Sequence, residues 1–187
     1  MTKNNYSLTI THLYPDFMNI YGDIGNIITL RKRCDWRNIE VYIKRMSFGD
    51  TLPEKTDIYF MGGGQDKDQL LVSKDLMSKK KELAQQIESG VCFLAVCGAY
   101  QLLGNFFLAG DGTQIKGIGI LDIETRAPGT KVKERCIGNV IAELNSKLLP
   151  VQKMNLSTIV GFENHSGQTV VHLVLLQNLP PPRNHRF

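Results

Sequence analysis

The sequence predicts an α/β fold: a mostly parallel sheet with helices on both faces and a peripheral β extension. Three observations carry this. Short apolar runs alternate with longer amphipathic segments, glycines follow two of those runs, and beyond residue 117 the pattern changes to short β-like pieces. Parallel strands of this kind carry their sites at the C-terminal ends.

Leu8 to Leu13 alternates with Thr and ends at Pro15-Asp16, which predicts a first strand and a turn. Asn26 to Trp36 places Ile27, Leu30 and Cys34 at helical spacing. Glu40 to Arg45 reads as the next strand. The apolar run Ile58 to Met61 leads into three glycines and a long helix with Leu76, Leu83 and Ile87 on one face, which Gly90 ends. Val91 to Val96 is continuously apolar, as expected of a strand buried on both faces, and Gly98 to Leu103 reads as helix. Ile118 to Thr125, Gly138 to Leu144 and Thr158 to Glu163 form the β extension. No linker or repeat divides the chain, so residues 1–187 are read as one domain.

A chain of 187 residues can bury a core without staples or metals. Its 42% apolar and 21% charged residues argue against disorder. The net charge of +4 is dispersed, apart from Lys79, Lys80 and Lys81, which read as a solvated helix face, so nucleic-acid binding is not expected. Cys34, Cys92, Cys97 and Cys136 show no CxxC spacing and suit a reducing, cytoplasmic setting with no metal site. No apolar stretch reaches the roughly 18 residues of a membrane span, and no signal-peptide core is expected at the start.

Two motifs could carry chemistry. Leu94 to Gln101 puts Cys97 between a strand and a helix, flanked by small residues, as in a nucleophile elbow. There the following helix N-terminus would favour the thiolate, and the Gly98 N–H could hold an oxyanion. Cys34 and Cys92, in contrast, read as small buried hydrophobes. The second motif, Phe60 to Asp66, ends an apolar strand in Gly62, Gly63 and Gly64, whose amides could line an anion site.

At these two points the sequence resembles the class I glutamine amidotransferases, in the cobyric-acid-synthase-like branch. The resemblance rests on Asn19 to Asn26, Gly62 to Asp66, Cys97 to Gln101, Gly117 to Asp122 and Gly161 to Gly167, and spans residues 8 to about 168. It implies that Cys97 attacks L-glutamine to give a glutamyl thioester and ammonia, with Gly63 and Gly98 at the oxyanion. It also implies that Arg135 grips the substrate carboxylate. No cofactor is expected in this chain. ATP and Mg are expected on a Mur-ligase-like catalytic subunit, the partner in a heterodimer, which would use the ammonia to amidate D-glutamate of lipid II to D-isoglutamine.

The family's catalytic histidine lies in a Tyr-Leu-His-Gly-like string that this sequence does not contain. Residues 169–187 do not match the family. His172 and His185 are formal candidates for the base, and His165 reads as a loop or packing residue. Other readings are a binding module impaired in catalysis, an amidotransferase of another pathway such as cobyric acid synthesis, and a stand-alone cysteine hydrolase.

Overall fold

The structure, a computed structural model, describes residues 6–128, 135–144 and 157–172. Its first sheet contains β1 (Ser7–Leu13), β2 (Glu40–Met46), β3 (Ile58–Met61) and β4 (Cys92–Ala95). These pair in the order β2-β1-β3-β4, all parallel. Between them run α1 (Ile24–Asp35) and α2 (Asp66–Glu88), while α3 (Gly98–Leu103) follows β4.

The alternation along β1 and β3 divides the core into two layers, because successive strand residues face opposite ways. Ile10 and Phe60 pack with Ile27, and Leu30 of α1 lies against the same cluster. Leu13, Tyr59 and Met61 pack with Val72, Leu76 and Leu83 of α2. The two helices therefore cover opposite faces. Each fully buried large side chain contributes roughly 1.5–3 kcal/mol, so both interfaces are needed to hold the sheet.

The β4 strand departs from expectation. Cys92 and Leu94 are exposed, and only Phe93 and Ala95 pack against the α2 layer. Among the described residues β4 is the sheet's edge, and α1 packs over β1 and β3 without reaching it. Cys92 is thus no buried hydrophobe, and Cys34 is only half-buried.

Lys79 also departs from the solvated face expected of the lysine run. It is buried, and its Nζ lies 2.6 Å from Asp75 Oδ2, one turn earlier on α2. The same oxygen accepts from the Tyr14 hydroxyl at 2.8 Å, and the Gly49 N–H donates to Asp75 Oδ1 at 3.2 Å. Burial alone would push the Asp75 carboxyl up, but the hydrogen bonds from Lys79, Tyr14 and Gly49 hold it below its ordinary range. Lys80 and Lys81 are exposed as expected.

The β extension forms two further units. One is a mixed sheet in the order β10-β7-β5-β6, from β5 (Phe106–Leu108), β6 (Gln114–Lys116), β7 (Ile123–Arg126) and β10 (Gln168–Val171). The other is an antiparallel pair, β8 (Cys136–Glu143) with β9 (Thr158–His165). The expected strand 118–125 forms only at its end. Residues before it turn back to satisfy the last carbonyls of α3, which have no partner within the helix. Ile118 N–H donates to Leu102 O at 2.8 Å, and Ile120 and Leu121 both donate to Leu103 O at 2.9 Å. Gly117 allows this contact, since a Cβ there would lie 2.0 Å from Gly104 O.

Candidate active site

Cys97 lies between β4 and α3 with φ 53° and ψ −119°, a conformation rarely held by a residue with a side chain. Such strain is kept where surrounding packing enforces it. Here Val96 N–H is tied to Met61 O at 3.0 Å, and the Ala99 and Tyr100 amides bond back to the Val96 and Cys97 carbonyls at 3.1 and 3.2 Å. The turn is held from both sides.

The glycine loop closes on the same point. A Cβ on Gly63 would lie 3.3 Å from Cys97 Cβ and 3.1 Å from the Tyr21 ring. At Gly62 it would come within 2.5 Å of the Asp23 side chain, and at Gly64 within 2.5 Å of Met18 Sδ. Gly62 is required by close approach, since a Cβ there would also lie 2.5 Å from Met18 O, while Gly63 and Gly64 leave little room beneath the segment after β1. Ile20 N–H donates to Gly63 O at 3.3 Å, and Asn19 Oδ1 accepts from Ile24 N–H at 2.7 Å at the start of α1. The Asn19 to Asn26 stretch therefore both starts a helix and covers the loop.

Gln69 joins the parts. It is buried on α2, its Nε2 donates to Gly64 O at 3.0 Å, and a Cβ on Gly98 would lie 2.7 Å from that nitrogen. Its Oε1 is buried with no hydrogen-bond partner among the described residues.

The electrostatics correct the expected thiolate. Cys97 is exposed as a residue, but partial burial of its sulfur pushes the thiol up, the Gly98 N–H opposes this, and the Asp23 carboxylate adds a smaller push upward. The Gly98 amide acts as expected of a helix start, but α3 is only six residues long and is outweighed.

Of the sequence-predicted residues, Cys97, Gly63 and Gly98 come together at the C-terminal ends of β3 and β4. Arg135 instead lies at the start of β8, where its Nε donates to Asn164 Oδ1 of β9 at 2.9 Å. His165 ends β9 and is exposed, so it is a strand residue and not a packing one. His172 is exposed and its backbone N–H donates to Asp122 O at 3.0 Å, while His185 lies outside the described residues.

Sequence reasoning missed Asp23, Gln69 and His12. Gln69 had a signal: it stands seven residues before Leu76, on the helix face that the apolar spacing marks as buried. His12 sits buried near the end of β1, 5.0 Å from the Phe60 ring, with Nε2 unpartnered among the described residues. Burial and then Arg45 lower its pKa, against smaller opposing effects of Asp23 and Asp16.

A strained cysteine elbow facing a glycine loop across neighbouring parallel strands defines the class, and the sequence match agrees. The chain belongs to the CobB/CobQ-like glutamine amidotransferase domain family, which matches residues 9–176. It is similar to the lipid II isoglutaminyl synthase (glutamine-hydrolyzing) subunit GatD of Staphylococcus aureus (strain N315), at 39% identity over 88% of this chain and 63% of the relative. The subunit of the same name from Streptococcus pneumoniae (strain ATCC BAA-255 / R6) is 34% identical over 88% of this chain and 59% of its own. A cobyric acid synthase of Clostridium botulinum (strain Alaska E43 / Type E3) is 35% identical over 48% of this chain and 19% of its own. The chain thus spans less than two thirds of the length of the two subunits it matches. No helix among the described residues is long and apolar enough to cross a membrane.

Proposed function

We propose that this chain is the glutaminase component of an amidotransferase, with Cys97 as nucleophile. The observation that carries the reading is the left-handed elbow at Cys97, set against Gly63 and followed by the Gly98 amide. In this reading Cys97 Sγ bonds to the side-chain amide carbon of L-glutamine. The carbonyl oxygen becomes an oxyanion, held by the Gly98 amide and the Gly63 loop, at roughly 3 kcal/mol per donor. The C–N bond then breaks, the departing nitrogen takes the thiol's proton and leaves as ammonia, and water hydrolyses the γ-glutamyl thioester.

Arg135 is the proposed grip for the glutamine α-carboxylate, through the bidentate geometry that guanidinium offers. The two subunits named above are the basis for the acceptor: a partner of the Mur-ligase type, carrying ATP and Mg, would use the ammonia to amidate D-glutamate of lipid II.

A second reading, a partner-binding module without turnover, is favoured by the raised Cys97 thiol. Among the described residues the influences on it are burial, the Gly98 amide and Asp23. The two readings separate on labelling with 6-diazo-5-oxo-L-norleucine followed by peptide mapping. Labelling at Cys97, lost in Cys97→Ala, supports the glutaminase; a folded chain that stays unlabelled supports the module.

A further inference from the structure

We propose that Cys136, Glu163 and His165, on the β8–β9 pair, form a divalent-cation site of the zinc class. One ligand atom from each lies within 4.8 Å of the others. The register builds this group. Cys136 pairs with His165, so their side chains share a face, and Glu163 lies two residues before His165 on that same face. Glu163 is opposite Gly138, where a Cβ would meet nothing within 4 Å, which leaves open space beside the carboxylate.

Both ring nitrogens of His165 lie beside oxygen acceptors. Its Nδ1 lies 3.2 Å from the Gly167 carbonyl, an acceptor that suits the tautomer with the proton on Nδ1. In the neutral ring Nε2 then bears a lone pair, yet it faces Glu163 Oε2 at 3.2 Å, a second acceptor. Two acceptors at that distance need a proton or a cation between them. A ring N–H given to a backbone carbonyl, with the other nitrogen free, is also how metal-bound histidines are oriented. The thiol of Cys136 makes the cation the better solution, because thiolate, imidazole and carboxylate together suit Zn²⁺.

The spacing fits with little movement. Bonds of roughly 2.0–2.3 Å to zinc place tetrahedral ligand atoms about 3.3–3.8 Å apart. The His165–Glu163 distance of 3.2 Å lies just below this range, and side-chain rotations of about 1 Å bring the three atoms, now within 4.8 Å of one another, into it. Binding displaces the Cys136 thiol proton to solvent, and water completes the coordination. Arg135 is tied to Asn164, which alternates to the opposite face, so the guanidinium is drawn away from the three ligands. The site rests on the strand register and the closeness of the three ligand atoms, and does not depend on the glutaminase reading.

Cobalt(II) added to the purified full chain tests it, with absorbance as readout. A thiolate-to-cobalt charge-transfer band saturating at one equivalent is expected. It should vanish in Cys136→Ser and persist in Cys97→Ala, while circular dichroism shows both variants folded. His165→Ala and Glu163→Gln should each weaken binding at least about tenfold, the smallest effect seen even for groups one step removed from a metal. A band lost in Cys97→Ala but kept in Cys136→Ser would place the metal at the nucleophile and overturn the proposal. So would affinity unchanged in both His165→Ala and Glu163→Gln, or no band at tenfold excess.

Discussion

At the scale of single residues, the Cys97 thiol sets the first prediction. Burial and Asp23 both disfavour the thiolate. The rate of Cys97 alkylation by iodoacetamide should therefore rise with pH and reach half its maximum above the ordinary thiol value of about 8.5. Asp23→Asn removes a negative charge, which favours the thiolate, so its midpoint should fall; a midpoint that stays or rises counts against the assignment. Gly98 provides a second. A Cβ there meets the Gln69 amide at 2.7 Å, so Gly98→Ala should slow diazo-oxo-norleucine labelling about 10²-fold or more, as expected when an oxyanion donor is displaced. Shortening Gln69 to Ala in the same chain should restore part of the rate. The placing of Cys97, Gly63 and Gly98 at strand ends was legible in the sequence, because each follows an apolar run that ends in small residues. Asp23 and His12 were not, since their roles depend on a loop folding back over β3 and on which way a strand residue faces.

At the scale of elements, the α2 helix depends on a polar group inside its apolar interface. Asp75 accepts from Lys79, Tyr14 and Gly49, and replacing it with Asn removes the charge that makes those bonds strong. Asp75→Asn should lower unfolding stability by about 1–3 kcal/mol near neutral pH, measured by urea denaturation. The sign with pH follows from the lowered carboxyl. Its stabilisation is present above the unfolded value of about 3.9 and is lost as pH falls through the folded one, so the gap between the two proteins should narrow below about pH 4. Periodicity gave the bounds of Gly98 to Leu103, but it did not mark β5, β6 or β10, and only the end of 118–125 became a strand. What periodicity could not show was burial. An apolar run such as 91–96 looks the same at a sheet's centre and at its edge, and only pairing order decides.

At the scale of the whole molecule, the parallel sheet was predictable, but the way the β extension meets it was not. The mixed sheet touches α3 through Tyr100, whose hydroxyl is 2.8 Å from Thr169 Oγ1, which in turn is 2.8 Å from Thr125 Oγ1. These contacts join residues 44 and 69 positions apart and leave no local signature. Thr169→Val removes both and should cost about 1–2 kcal/mol. Limited proteolysis should then cut first within the β5–β7–β10 region, with the β1–β3 core protected for longer.

The loop that turns back from Gly117 onto the end of α3 anchors the helix that follows Cys97. Its amides hold the Leu102 and Leu103 carbonyls, and Cys97 is only six residues upstream across a single rigid helix. The same short helix thus has the Cys97 turn at its start and the returning loop at its end, and the contacts that close its C-terminus also help to fix the place of the sulfur.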